Sequence, residues 1–385
     1  MATALMNTYG HRALTLVRGQ GCRVWDSVGN EYLDAFSGVA VCGLGHCHPA
    51  VTRAIVDQAS RLLHTSNWYN LLVQQQTAEK LQSISGLDKV FFANSGAEAN
   101  EAAIKIARKV GNSRGVKLPT IVTMKNAFHG RTLATLTATG NAKASNGFQP
   151  MVSGFRKVPF NDISAVEALS SDPNIVAVML EPIQGEGGIH IADDEYLNRL
   201  RALCDRQQWL LILDEVQSGN GRSGRYFAYQ HLNWTPDILT TAKGLGNGMP
   251  IGACLAKNDF AEVLQPGDHG STYGGNPVAC AAANAVMDTI LTENLCQQAA
   301  SMGEYLANGL GSAFADKHSV IDIRHKGLLI GIELDHACGN LTKQATAKGL
   351  LINVTAGNVV RLLPPLIISH SEADQIIETL GELIP

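Results

Sequence analysis

The chain has 385 residues, 45% of them hydrophobic and 17% charged, with a formal net charge of −4. Those proportions fit a compact globular protein of about two domains and exclude a disordered one; the slightly acidic balance argues against nucleic acid as a partner. Residues 1–10 are polar where a secretion signal needs an apolar core, no stretch approaches the roughly 18 apolar residues of a membrane span, and the eight cysteines lack the spacing of a disulfide framework, so a cytoplasmic protein with reduced thiols is expected.

Residues 14–33 alternate between turn residues Gly19, Gly21, Ser27, Gly29 and Asn30, which predicts a small antiparallel meander. The next segment, 34–41, is apolar but too short and glycine-marked for a helix. Cys42, His46, Cys47 and His48 look like metal ligands, yet they are crowded together and no second pair follows at zinc spacing, so no metal is expected. Pro49 suits the first turn of a helix reaching about residue 63, and 71–84 reads as a second amphipathic helix.

Residues 90–93 read as a buried strand, followed by Asn94, Ser95, Gly96 and Ala97 and then a helix with apolar positions 99, 102, 103, 106, 107 and 110. A strand, small residues and a helix start turn free amides toward an anion such as phosphate. A plain N-cap by Ser95 explains the same residues. Strand 121–124 runs into a loop where Phe128 could stack on a flat ring and Arg131 could hold a carboxylate; an ordinary loop reads the same way. Strand 175–180 ends at Glu181 and a glycine-rich loop carrying Glu186, which implies backbone packed close to something or simply a surface turn.

A helix over 195–206 leads to the apolar run 209–213, which ends in Asp214 and Glu215. A second run, 238–242, closes on Lys243 and is followed by Gly244, Gly246 and Gly248. Burial disfavours a lysine's charged form, and a neutral amine is what a Schiff-base lysine requires. An amine at one strand end and a carboxylate at another are the pair that pyridoxal phosphate needs, for its aldehyde and its ring nitrogen. Strands alternating with helices from 90 to 256 indicate an α/β fold with a mostly parallel sheet covered on both faces. Ligands of such sheets sit beyond the carboxyl ends of the strands. Ser95, Phe128, Glu186, Asp214 and Lys243 all fall just past strand ends.

After a strand at 251–256, the loop 267–275 carries Ser271, Thr272 and Tyr273, and an alanine-rich helix runs from about 276 to 292 or beyond. Strands near 319–325, 328–334, 350–354 and 359–363, with helices among them, predict a small α+β domain; Ser369 and Glu372 form a capping box for its last helix. Arg361 interrupts an apolar strand there. A buried arginine demands an anion, either a structural carboxylate or a substrate.

Read as blocks in order, these residues resemble the class III, or ω-type, aminotransferases, which use pyridoxal phosphate. The blocks are Gly21, Val24, Trp25, Asp26, Gly29, Tyr32, Leu33 and Asp34, then Ser95 to Asn100, Phe128 to Arg131, Glu181 to Gly187, Asp214 to Gln217, Ala242 to Gly244, Ser271 with Thr272, and Arg361. The resemblance implies the fold type I of such enzymes, with a large domain at 47–275 built on a seven-stranded, mostly parallel sheet and a small α+β domain made of 1–46 and 276–385. It implies that Lys243 bonds the cofactor and shuttles a proton, and that Asp214 keeps the ring nitrogen protonated. Gln217 is expected near the ring hydroxyl, Phe128 on the ring face, Ser95, Gly96 and Ala97 at the phosphate, and Glu215 and Val216 in the same cofactor-binding segment.

Thr272 is expected to reach the phosphate of a neighbouring subunit, which implies a homodimer. Ser271 and Arg131 would contact the amine donor, Arg131 through its α-carboxylate, while Arg361 would take the α-carboxylate of glutamate or 2-oxoglutarate with Glu186 as its switchable counter-charge. The implied reaction is a ping-pong transfer of the terminal amine of N2-acetylornithine to 2-oxoglutarate, a step of arginine biosynthesis. Relatives that act on succinyldiaminopimelate, succinylornithine, ornithine or 4-aminobutyrate, or that move an amine within one molecule, share the pattern. A catalytically silent member would be free to lose the lysine, aspartate and arginines, all present here. Asn220 stands where the family pattern leads one to expect an apolar residue, and Ser223 where threonine is commoner, departures expected to touch loop packing more than chemistry. The lack of an extension before the first block is expected to favour the arginine-pathway member.

Overall fold

The computed structural model describes residues 4–10 and 13–385, apart from the side chain of Ala142, so the opening stretch read for a secretion signal lies partly outside the described residues. Its centre is a seven-stranded sheet in the order Lys89–Ala93, Gly252–Ala256, Ile238–Thr241, Leu210–Asp214, Ile175–Leu180, Thr120–Met124 and Phe155–Val158. Gly252–Ala256 runs antiparallel to both its neighbours. The other neighbouring pairs are parallel. Every residue of Ile175–Leu180, Leu210–Asp214 and Ile238–Thr241 is buried. Unbroken apolar runs of this kind are what a sheet covered on both faces needs.

Parallel pairing brings strand ends to one edge: Leu213 stands opposite Leu180, and Asp214 opposite Thr240. The helix Gly96–Ser113 lies over the sheet on Ala99, Ala102, Ala103, Ile106, Ala107 and Val110, mostly small side chains that let its axis come close. Ser95 caps it by accepting the Glu98 N–H at 3.2 Å.

Three further sheets are found among the described residues, the smallest being the antiparallel pair Ile183–Gln184 and His190–Ile191. Leu16–Gln20, Arg23–Asp26 and Glu31–Asp34 form the expected meander, and Leu350–Leu351 pairs in parallel with Glu31–Asp34. Val320–Lys326, Leu329–Leu334, Val359–Leu362 and Asn353–Thr355 form an antiparallel four-stranded sheet that carries Arg361. The last helix, His370–Leu383, starts with the reciprocal bonds of a capping box between Ser369 and Glu372. Among the described residues no helix is long and apolar enough to cross a membrane.

Several elements differ from the sequence expectation. The helix at Pro49 ends at Ala59, not near residue 63. The alanine-rich helix stops at Thr292, where Asn294 in a left-handed conformation (φ 53°) separates it from a second helix, Leu295–Ala313. The strand Phe155–Val158 and the helix Leu133–Ala138 were not anticipated. The strand is an edge with exposed Arg156 and Lys157 in place of an apolar run, and the helix, at six residues, is too short for periodicity to reveal.

One contact at the sheet edge sets the approach of the helix cap. A Cβ on Gly252 would lie 2.3 Å from the Ser95 carbonyl oxygen, a backbone atom that cannot yield without moving the turn. Gly252→Ala is expected to lower stability by about 1–3 kcal/mol through overpacking, read as a lower urea midpoint with an unchanged slope; an unaltered midpoint would contradict so close a contact.

Candidate active site

Beyond the strand ends lies a cavity of about 380 Å³. Lys243 reaches it from the end of Ile238–Thr241. Its backbone is left-handed at φ 45°, and the turn is held by Leu245 N–H donating to the Ala242 carbonyl at 2.9 Å. Such conformations cost energy and persist only where the surroundings enforce them. Burial pushes the Lys243 amine below the ordinary lysine value, Glu186's charge opposing and Arg361's reinforcing the shift.

Asp214, at the end of the adjacent strand, is buried on the cavity wall. Its Oδ2 accepts from Asn100 Nδ2 at 2.7 Å and stands 2.8 Å from His129 Nδ1, and its Oδ1 accepts the Val216 N–H at 3.0 Å. Asn100 is itself fixed, donating also to the His129 carbonyl at 2.8 Å and accepting from Thr240 Oγ1 at 2.6 Å. One strand further, Glu181 accepts the Phe128 N–H at 2.9 Å and the Gly185 N–H at 3.2 Å. Burial raises its carboxyl above the usual carboxylate range, with Asp214's charge adding to the effect.

Arg361 enters from the antiparallel sheet and is fully buried. Its Nη1 donates to Glu186 Oε1 at 2.8 Å and to the Gly185 carbonyl at 3.0 Å, and its Nη2 to Asn353 Oδ1 at 2.7 Å. Gln217 Oε1 stands 3.4 Å from the same Nη1. Burial alone would raise the Glu186 carboxyl, but the Arg361 guanidinium outweighs it and holds the group below its ordinary value. Arg131 behaves differently. It is exposed at the cavity, 5.3 Å over the Phe128 ring, with no ion pair among the described residues.

Of the residues singled out in the sequence, Ser95, Gly96, Ala97, Phe128, Arg131, Glu186, Asp214, Val216, Gln217 and Lys243 meet on this one wall. Three do not. Glu215 turns its carboxylate away, accepting from Ala228 N, Tyr229 N and Ser218 Oγ, and burial raises it to about 7. Ser271 and Thr272 line a separate hollow beside Glu98, Glu101 and His269; Ser271 Oγ is tied to the cavity through Asn94 Nδ2 at 3.1 Å. The sequence reading assigned no role to Asn100, His129, Glu181 or Thr240. Asn100 could have been noticed as an amide on the apolar face of its helix.

The residues fit pyridoxal phosphate on two observations. His129 Nε2 is buried on the wall with no hydrogen-bond partner among the described residues, so the imidazole that braces Asp214 keeps one nitrogen unspent. At the helix start, Ser95 takes the N–H groups of Glu98 and Ala99, which leaves the Gly96 and Ala97 amides on the wall for an anion. An amine shifted toward its neutral form, a buried carboxylate and an anion cradle are the donor set this group requires.

The lowered Lys243 amine is open to direct measurement. In protein stripped of bound small molecules, acylation followed by peptide mass spectrometry is expected to give Lys243 a half-modification pH below that of surface lysines, since burial favours its neutral, reactive form. A midpoint at or above theirs would contradict the shift.

The sequence model of the aminotransferase class-III family matches residues 5–384. The acetylornithine aminotransferase of Nitrosomonas europaea is 50% identical over 381 residues, 99% of this chain and 97% of that protein. Among solved structures, the ornithine aminotransferase of Toxoplasma gondii superposes with a TM-score of 0.94 at 34% identity, covering 97% of this chain and 91% of that one. The N-acetylornithine aminotransferase of Stenotrophomonas maltophilia gives 0.86 at 37% identity, covering 98% and 97%. With a match from one end to the other, and with Lys243 and Asp214 on one wall and Arg361 bonded to that wall through Glu186, the chain belongs to the class-III aminotransferases and is a pyridoxal-phosphate-dependent transaminase.

Proposed function

We propose that this transaminase moves the terminal amine of N2-acetyl-L-ornithine to 2-oxoglutarate, giving N-acetyl-L-glutamate 5-semialdehyde and L-glutamate, as a step of arginine biosynthesis in the cytoplasm. The observation that carries the reading is the pair of cations around one lysine, Arg361 matched by Glu186 and Arg131 unmatched among the described residues. The donor keeps its carboxylate far from the reacting amine, whereas the acceptor's lies beside its keto carbon. Arg131 suits the first and Arg361 the second.

Pyridoxal phosphate, when bound, supplies an electron sink and a carrier for the amine. Lys243 Nζ is the group to hold it, with the Gly96 and Ala97 amides and Ser95 at its phosphate, Phe128 and Val216 against its ring and Gln217 near its hydroxyl. Asp214, braced by Asn100 and His129, would keep a proton on the ring nitrogen. Lys243 Nζ, which burial shifts toward its uncharged form, is the group to take a proton from the substrate's amine-bearing carbon and return it. With the donor bound, Glu186 neutralises Arg361. With 2-oxoglutarate bound, Arg361 turns to the substrate carboxylate, and Glu186, whose side chain is 37% exposed, has room to move aside.

The proposal includes a homodimer in which Ser271 and Thr272 serve a neighbouring copy. Trp68, 91% exposed, and the loop 267–274 line one hollow, with Tyr69 and Leu72 also exposed, and so much bare apolar surface supports a covering partner. It also keeps the division into 47–275 and 1–46 with 276–385. Free ornithine as donor is the second reading, favoured by the likeness to the Toxoplasma structure.

Side-by-side rates with 2-oxoglutarate as acceptor separate the two: acetylornithine is expected to give the higher kcat/KM, and faster use of free ornithine would overturn the choice. Arg131→Ala is expected to cost about 10²-fold in kcat/KM for acetylornithine, the size of a lost charged contact, with a smaller loss for amines that lack an α-carboxylate. Equal losses for both would remove the role given to Arg131.

A further inference from the structure

Asn220 follows the Asp214 strand and has a left-handed backbone at φ 58°, a conformation asparagine tolerates better than an apolar residue would. It is buried and is not part of the cavity wall. Its amide is fully engaged. Nδ2 donates to Thr241 Oγ1 at 3.0 Å and to the Ala242 carbonyl at 3.1 Å, and Oδ1 accepts from Tyr226 OH at 3.3 Å. A carbonyl can only accept, so the Ala242 bond fixes which way the amide faces.

Thr241 and Ala242 are the two residues before Lys243. The same Ala242 carbonyl accepts the Leu245 N–H that closes the turn around the lysine. On the far side of Lys243, a Cβ placed on Gly244 would lie 3.1 Å from Asn220 Cβ, so the asparagine abuts the backbone both before and after the lysine. The family pattern led one to expect an apolar residue here and an effect on loop packing more than on chemistry. An apolar side chain of similar size would fill the space but deprive the Ala242 carbonyl of a donor and the Tyr226 hydroxyl of its acceptor.

We propose that Asn220 is a positioning residue for Lys243, its amide fastening the Thr241–Ala242 segment so that the lysine's left-handed backbone is preset before any ligand arrives. The inference rests on Lys243 being the residue that bonds pyridoxal phosphate, and it acts through the backbone of Ala242 with no contact to ligand.

The test uses the full-length protein stripped of cofactor, in three variants: Asn220→Met, Tyr226→Phe and the two together. Two signals are followed: the rate at which the absorbance of lysine-bound cofactor appears on adding pyridoxal phosphate, and the equilibrium affinity for pyridoxine phosphate, which has no aldehyde and so reads the cavity without the lysine. Asn220→Met is expected to slow capture by about tenfold, a loss of orientation at the reacting amine, with pyridoxine phosphate affinity unchanged. Tyr226→Phe should slow it less, and the double variant no more than Asn220→Met alone, since both act through one amide. Unchanged capture, or an affinity that falls by the same factor as capture, overturns the proposal. If Asn220→Met does not fold, Tyr226→Phe decides alone, unaltered capture again being the contrary result. Failure of the unsubstituted protein to capture the cofactor would instead remove the assignment of Lys243, and the role of Asn220 with it.

Discussion

A carboxylate taken out of water keeps its charge only where it is hydrogen-bonded or paired, and Asp214 is supplied with such partners from three different parts of the chain. Asn100 comes from the long helix, His129 from the loop after Thr120–Met124, and Val216 from the turn after Asp214 itself. Satisfying one charge therefore sets the helix start with its open amides, the loop with Phe128 and Arg131, and the turn with Gln217 in fixed relation to Lys243. Thr240, on the lysine's own strand, completes the frame by holding Asn100.

The second electrostatic element spans two sheets. Arg361 belongs to the four-stranded antiparallel sheet and Glu186 to the loop joining the short pair Ile183–Gln184 and His190–Ile191, and the loop is further tied across by Thr355 Oγ1 donating to the Glu186 carbonyl at 2.5 Å and by Arg324 donating to the Gly188 carbonyl at 2.6 Å. The loop backbone is thus pinned while the Glu186 side chain keeps exposure. Paired in this way, the buried guanidinium is not left bare in the interior.

Much of this was legible in the amino-acid order. The central strands are unbroken apolar runs, so their ends, and with them Asp214, Lys243, Glu181 and Phe128, could be placed without coordinates. The parallel arrangement then brought them together. What stayed hidden has specific causes. Phe155–Val158 is a solvated edge strand, and Leu133–Ala138 is shorter than two helical turns. Asn100, Thr240 and His129 act on Asp214 through tertiary contacts that join residues up to 140 positions apart, a separation no local pattern encodes. Glu215 shows the converse: adjacency to Asp214 suggested a shared task, but strand alternation points it the other way, into the turn at Ala228 and Tyr229.

The parallel pairing of Glu31–Asp34 with Leu350–Leu351 has a consequence for biogenesis. During translation the edge of the first meander has no partner until roughly 300 further residues have left the ribosome, an interval of order tens of seconds at about 5–20 residues per second. Throughout it Leu33 and Asp34, buried in the finished molecule, are exposed on an open strand edge of the kind that recruits foreign strands. Cover for this edge comes only with the synthesis of Leu350–Leu351, close to the other end of the chain.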